Sequence, residues 1–380
     1  MEVTTNVREL YNTAVNGDLS VINNLIAEGV SLALPAKYGH INIVRAMLDA
    51  GVNVNQVGHD GETPLILAVE GKYTEVVRIL IDAGADVNQE MSNGDTPLIV
   101  AAHNGYVELV TGLLDSGAIV DKSNNDLITP LLVAASEGHI NVLRVLLEAG
   151  ANVEHAMING DTALIMAVED EHVEAIESIL NAGANVDQSS NDGVTPLIIA
   201  AEFGNVDVVR VLLNAGANIE QARIDGITPL YTAAFNGNID AVNAILAAGA
   251  IVNQPDQDGD TPLFIATTER YLDVVEALLS AGANMHYINN NGDTPFEYAR
   301  RNNLNILNVM KKTSAAKKIQ TQTRTHQAKK NYKERQKSRA NLKVGFKVPT
   351  QQQQQQQKED LKQQQEQEHK PKRRRLMTMS

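Results

Sequence analysis

The sequence predicts an all-α solenoid of stacked helix-turn-helix units joined by hairpin-like turns, followed by a basic helix and a disordered tail. Three observations predict it. Thr recurs at Thr63, Thr96, Thr129, Thr162, Thr195, Thr228, Thr261 and Thr294, always 33 residues apart, and Gly51, Gly84, Gly117, Gly150, Gly183, Gly216, Gly249 and Gly282 keep the same interval. A fixed period of this size marks an architecture in which each unit buries its apolar face against the next. Helix-start and helix-stop residues also fall in one register throughout the periodic region. Finally, 43% of the 380 residues are hydrophobic but only 4% aromatic, with no Trp and no Cys. The core must therefore be built mainly from Leu, Ile, Val and Ala. Disulfides, thiolate zinc sites and thiol catalysis are excluded.

Each position of the unit has a physical role, shown here on Asp192 to Gln221. Thr195 is an N-cap, and Pro196 suits the first helical position, where a missing N–H costs nothing. Leu197, Ile198, Ala200 and Ala201 make a short helix whose small residues allow close packing. Gly204 permits the tight turn into a second helix, and Val208, Val209, Leu212 and Leu213 form the apolar stripe of that helix. Gly216 ends it in a left-handed cap. Asn218 to Asp225 run out and back as a turn closed by Asp225-Gly226.

These residues resemble the ankyrin repeat, whose pattern is close to D-x-x-G-x-T-P-L-x-x-A-A-x-x-G-x-x-x-x-V-x-x-L-L-x-x-G-A-x-V-N. The resemblance spans roughly residues 6–312. It implies a solenoid that binds proteins on an extended concave face. The departures are local. The His that often follows T-P-L is replaced by Ile66, Ile99, Leu132, Ile165, Ile198, Tyr231, Phe264 and Glu297. The glycine between the helices becomes Lys72, Glu171, Arg270 and Asn303, and Leu127 stands where other turns have Gly. A positive φ at Leu127 would cost about 1 kcal/mol.

Residues 1–312 are read as the solenoid, with 1–51 an atypical N-terminal cap and 295–312 the C-terminal cap. Leu32 to Gly51 match a full helix pair, but Gly29 lies 22 residues before Gly51 where 33 are expected. Residues 6–28 are thus expected to form a first pair joined by a shortened link, giving about ten pairs in all. Pro35 replaces the usual Ala, so its helix should be short or bent.

The formal net charge of −14 is not spread evenly. Residues 1–310 hold 12 Lys/Arg against 41 Asp/Glu, a net of −29, whereas residues 311–380 hold 20 against 5, a net of +15. The ends of the first helices and the turn tips supply the candidate partner-binding residues: Glu70, Met91, His103, Glu137, Met157, Glu169, Asp170, Glu202, Phe203, Arg223, Phe235 and Glu269. An acidic surface with exposed aromatics suits a basic segment of a partner protein. In an open, wet groove the carboxylates are expected to keep ordinary pKa values, which argues against acid–base catalysis at Glu169, Asp170 or Glu202. His40 and His139 occupy one repeat slot and read as structural. No H-E-x-x-H, P-loop, G-x-S-x-G or kinase motif is present. A non-catalytic scaffold without cofactor or metal is the expectation.

Between Pro295 and Gly345 there is neither Gly nor Pro, so a long basic helix is expected, with 313–340 as its own segment. Ile319, Gln320, Arg324, Lys329 and Tyr332 fit I-Q-x-x-x-R-x-x-x-x-[RK]-x-x-[aromatic or aliphatic]. This looks like an IQ motif, which implies calmodulin binding. Thr325 and the polar Gln322 and Thr323 depart from the usual pattern. Residues 341–380 are Gln-rich and basic, with seven consecutive Gln at 351–357, and are expected to be disordered, although the Gln runs could form coil or extend a helix. Lys370, Lys372, Arg373, Arg374 and Arg375 resemble a monopartite nuclear-import signal. Nucleic-acid contact through these charges would be non-specific and salt-sensitive. The charge split also suggests that the tail docks on the acidic groove of its own chain.

The N-terminal MEVTTNVREL has neither a basic region nor an apolar run, so no signal peptide is expected. No apolar stretch reaches roughly 18 residues, so no membrane span is expected. The combined reading is a cytoplasmic or nuclear adaptor. Two alternatives are a chromatin- or nucleic-acid-associated factor anchored by the tail, and a bacterial effector acting on host proteins in the host cytoplasm or nucleus.

Overall fold

The computed structural model describes residues 31–345 and 350–368, together with Asn24 and Ala27. The expected first helix pair at 6–28, apart from the helical Asn24 and Ala27, and the basic run from Lys370 to Arg375 lie outside the described residues. Among the described residues there are nineteen helices and no strand, apart from one antiparallel bridge between Ala156 and Thr162. The chain divides into two compact units, Met1–Lys311 and Lys312–Ser380.

The first unit is a series of helix pairs. α1 (Ala33–Lys37) and α2 (Ile41–Asp49) form the first described pair. Then follow α3 (Pro64–Glu70) with α4 (Thr74–Asp82), α5 (Pro97–His103) with α6 (Val107–Asp115), and α7 (Pro130–Ser136) with α8 (Ile140–Glu148). α9 (Ala163–Glu169) pairs with α10 (Val173–Asn181), α11 (Pro196–Phe203) with α12 (Val206–Asn214), α13 (Pro229–Phe235) with α14 (Ile239–Ala247), and α15 (Pro262–Glu269) with α16 (Leu272–Ser280). α17 (Pro295–Asn302) is followed by α18 (Leu304–Gly345). First helices stack on first helices and second helices on second helices from one repeat to the next. α1, which carries Pro35, is five residues long against seven or eight for the other first helices, as the proline requires.

The repeated threonines explain why each first helix starts where it does. Thr63, Thr96, Thr129, Thr162, Thr195, Thr228, Thr261 and Thr294 each accept, through Oγ1, the N–H three residues on. This satisfies a donor that the helix itself leaves unpaired. The first seven are buried, so each cap bond is shielded from water. Behind them one continuous apolar core runs from Leu32 to Met310. Paired alanines such as Ala101-Ala102, Ala134-Ala135 and Ala233-Ala234 are fully buried where neighbouring first helices meet. A larger side chain there would hold the helices apart.

Two further sets of bonds join the repeats. At the base of the hairpins Asn55, Asn88, Asp121, Glu154, Asp187, Glu220 and Asn253 each accept a backbone N–H 31 residues ahead. At the start of the second helices, His139 Nε2–H donates to the His103 carbonyl and His172 Nε2–H to that of Ser136, each at 2.9 Å. Asn238 Nδ2 donates to the carbonyls of Ala201 and Glu202. The structural role expected for His139 is therefore a stitch to the preceding repeat.

The substituted glycines behave in two ways. Leu127, Lys72, Glu171 and Arg270 all adopt positive φ, at 62°, 57°, 58° and 71°. Asn303 does not; its φ is −147°, and its Oδ1 accepts the Ile306 N–H to cap α18. In the second unit, the Gln-rich run lies in a helix, α19 (Gln351–Glu368). Gln, Lys and Glu are good helix formers, and this stretch lacks Gly and Pro.

Candidate protein-binding surface

The first helices end on the side that also carries the hairpin tips. Asp161 on a tip and Asp170 and Glu202 at helix ends are all close enough to Glu169 to act on its charge. The register explains the arrangement. Glu169 and Glu202 are equivalent positions of consecutive repeats, Asp170 follows Glu169, and the hairpin of the same repeat brings up Asp161.

The Glu169 carboxyl is pushed above the ordinary range, first by burial and then by Asp161, Asp170 and Glu202. Asp161 is also raised, mainly by burial with a contribution from Asp192, although the Asn159 carboxamide bonds to it and opposes the shift. The expectation of an unperturbed carboxylate in an open groove is thus corrected at Glu169. The packed hairpin takes water from one side of these groups, and the remaining neighbours are also acidic. A second acidic group lies further along. Burial raises Asp260, helped by Asp256, Asp258 and Asp293 and opposed by the Asn289 carboxamide. Burial pushes the Tyr231 hydroxyl above its ordinary range, and the charge of Asp256 and a hydrogen bond to it add to the shift. Asp161, Asp192, Tyr231, Asp256 and Asp260 were not singled out from sequence. Their burial comes from the packing of one hairpin on the next, which the residue pattern does not specify.

The expected partner-binding residues fall into distinct groups. Phe203 and Phe235, at the ends of the adjacent helices α11 and α13, are 55% and 47% exposed. They lie on consecutive repeats beside Glu202. Glu70, Glu169, Asp170, Glu202 and Glu269 are exposed at helix ends. Others are engaged within the array. His103 Nδ1 is 3.3 Å from Glu137 Oε1 of the next repeat, and Ser136 Oγ donates to Asp170 Oδ2 at 2.8 Å. Arg223 is half-buried and pairs with Asp225 at 3.3 Å. Met91 and Met157 are half-buried, and Met157 packs against the core.

In the second unit Ile319, Gln320, Arg324, Lys329 and Tyr332 are all exposed on α18. At about 100° per residue they are distributed around the helix rather than along one face. An encircling clamp could reach them all, whereas a flat surface could not. Among the described residues no group of His, Asp or Glu is arranged to hold a metal. No helix among them is long and apolar enough to cross a membrane.

The array is thus a helical-repeat scaffold that presents an extended, acidic, partly aromatic surface. A family model described as ankyrin repeats matches residues 10–91, 84–157, 153–223 and 230–323, and the chain belongs to the ankyrin repeat family. Among solved structures, the crystal structure of the human ASB11 ankyrin repeat domain is similar, with a TM-score of 0.52 and 29% sequence identity. That match covers 58% of this chain and 97% of the other. No curated protein matches the chain. Ankyrin repeats are protein–protein interaction modules and in general serve as non-catalytic scaffolds.

Proposed function

We propose that the chain is a non-catalytic adaptor whose acidic surface binds a basic segment of a partner protein. The observation that carries this reading is the collection of Asp161, Glu169, Asp170 and Glu202 in mutual range, beside the exposed Phe203 and Phe235. Carboxylates that repel one another are stabilised when cationic side chains arrive, and exposed aromatics give such a segment apolar anchors. The test is cross-linking from a photoreactive group placed at Phe203 in full-length protein, compared with Glu169→Gln/Glu202→Gln. The reading expects cross-linked partner segments rich in Lys and Arg, lost in the double variant. Cross-links to acidic or uncharged segments, unaffected by the variant, would reject it.

A further part of the same reading is a tail that recruits a calmodulin-like protein and directs nuclear import. Support for the first comes from the IQ-like residues lying exposed on one helix. Calmodulin beads with and without calcium are expected to retain the full chain and lose Ile319→Ala/Gln320→Ala. No retention of wild type in either condition rejects that part. Import rests on Lys370, Lys372, Arg373, Arg374 and Arg375, and predicts a cytoplasmic and nuclear distribution that shifts to the cytoplasm when the five are replaced by Ala.

A further inference from the structure

Successive hairpin tips are normally joined by a backbone hydrogen bond. Ser92 N–H donates to Asp60 O, Asn125 to Asn93, Asn191 to Asn159, Gln257 to Asp225 and Asn290 to Asp258, at 2.9 to 3.1 Å. The carboxamides of Asn125, Asn191, Gln257 and Asn290 add a second bond to the preceding tip. Among the described residues this ladder is interrupted at two places, Ile158 and Ile224, whose N–H groups make no such bond.

At Ile158 the cause is visible in the preceding hairpin. A Cβ added to Gly61, Gly94 or Gly160 would fall 2.7 Å from the backbone nitrogen of the next tip. Leu127 occupies that slot and does carry a Cβ, at φ 62°. It therefore fills the space into which the Ile158 N–H would have to move to reach the Asp126 carbonyl. The two tips stay tied by His155 Nε2–H, which donates to Leu127 O at 3.0 Å. At the second interruption glycine is retained, and the corresponding spacing from Gly193 to Ile224 N is 3.4 Å.

These interruptions leave aliphatic side chains in water. Leu127 is 43% exposed, Ile158 63% and Ile224 71%. The last two lie two repeats apart, with the Asn191 tip between them. Carboxylates border them: Asp126 precedes Leu127, Asp161 closes the Ile158 hairpin, and Asp192 lies between the two isoleucines. Arg223, which precedes Ile224, is paired with Asp225.

We propose that the Leu127–Ile158 junction, continued to Ile224, is a docking site for an extended partner segment in which apolar and basic residues alternate. The unpaired Ile158 N–H and Asp126 C=O would bond its backbone. Its apolar side chains would cover Leu127, Ile158 and Ile224, and its cations would meet Asp126, Asp161 and Asp192. The proposal rests on the adaptor reading but places the main anchor on the tips rather than at Phe203 and Phe235.

The test titrates full-length protein into a fluorescent peptide of about nine residues in which Lys and Val alternate. Controls replace Lys by Glu or Val by Ser. Two variants separate the sites: Leu127→Gly/Ile158→Asn, which restores the residue types of the closed junctions, and Phe203→Ala/Phe235→Ala. The expected result is a Kd on the order of 100 μM that weakens about tenfold in the tip variant and with either control peptide, but not in the phenylalanine variant. Loss only in the phenylalanine variant overturns the tip site while supporting the helix-end surface. Equal binding by both variants, or no binding by wild type up to about 1 mM, also overturns it. The tip variant introduces residues that other repeats already use at these slots, so its thermal unfolding midpoint should not fall, and lost binding cannot be assigned to misfolding.

Discussion

Asp187 Oδ1 accepts the backbone N–H of Asn218, one repeat ahead, at 2.8 Å. The two residues belong to different hairpins, so the bond forms only when two repeats have stacked. It is one rung of the set formed by Asn55, Asn88, Asp121, Glu154, Asp187, Glu220 and Asn253. Asp187→Ala is expected to lower stability by about 1 kcal/mol. Asp187→Asn, which copies Asn253, should recover most of this. Urea midpoints of the two variants check the expectation, and equal losses in both would show that the bond contributes little.

Thr195 Oγ1 accepts the Ile198 N–H at 3.3 Å, and the threonine is buried. Thr195→Ala leaves that donor unsatisfied and should cost about 1 kcal/mol. Thr195→Ser keeps the acceptor and should cost less. The same urea series distinguishes a cap from simple packing, because a packing role would make both changes costly.

Leu212 is fully buried in the core between second helices. Leu212→Ala should cost about 2–5 kcal/mol, since neighbouring helices are held by their own repeats and cannot close the cavity. Hydrogen exchange should show the loss concentrated in this and the adjacent repeats, because each repeat is coupled mainly to its neighbours.

Leu127 holds φ 62° with less than half of its surface in water. Leu127→Gly removes the left-handed penalty and is expected to raise stability by less than about 1 kcal/mol, because the greater freedom of glycine in the unfolded chain offsets part of the gain. A lower melting midpoint for Leu127→Gly would show that the exposed leucine makes a compensating contact.

Burial, aided by Asp161, Asp170 and Glu202, raises the Glu169 carboxyl above its ordinary range. Folding therefore opposes its ionisation. The stability associated with the protonated form is fully present below the ordinary glutamate range and is lost as pH rises through the raised value. Glu169→Gln should accordingly be more stable than wild type at neutral pH, with the difference disappearing in acid. Urea midpoints across that range provide the check, and a pH-independent difference would contradict it.

The helix pairs were legible because their determinants are local and repeated. Thr195-Pro196, the small residues of the first helix, the stripe at Val208, Val209 and Leu212, and Gly216 each act within a few residues of themselves. Leu127 was legible as strain because its slot is glycine in the other repeats. The candidate surface was legible only in outline. Glu169, Glu202, Phe203 and Phe235 could be placed at helix ends by register alone. The raised carboxylates could not, because their burial depends on how closely one hairpin lies against the next.

The amino-acid sequence by itself determined the repeat unit, its period, the caps, the stacked order of the helices and the opposite charges of residues 1–310 and 311–380. Those features follow from short-range backbone preference and from apolar periodicity. Tertiary structure alone decided that Asp187 and Asn218 meet, that Asp161 and Glu169 share a partly desolvated face, and that the tip ladder is interrupted at Ile158 and Ile224. Each depends on the separation between neighbouring hairpins, where a single Cβ or a few tenths of an ångström decides whether a hydrogen bond forms or a side chain remains in water.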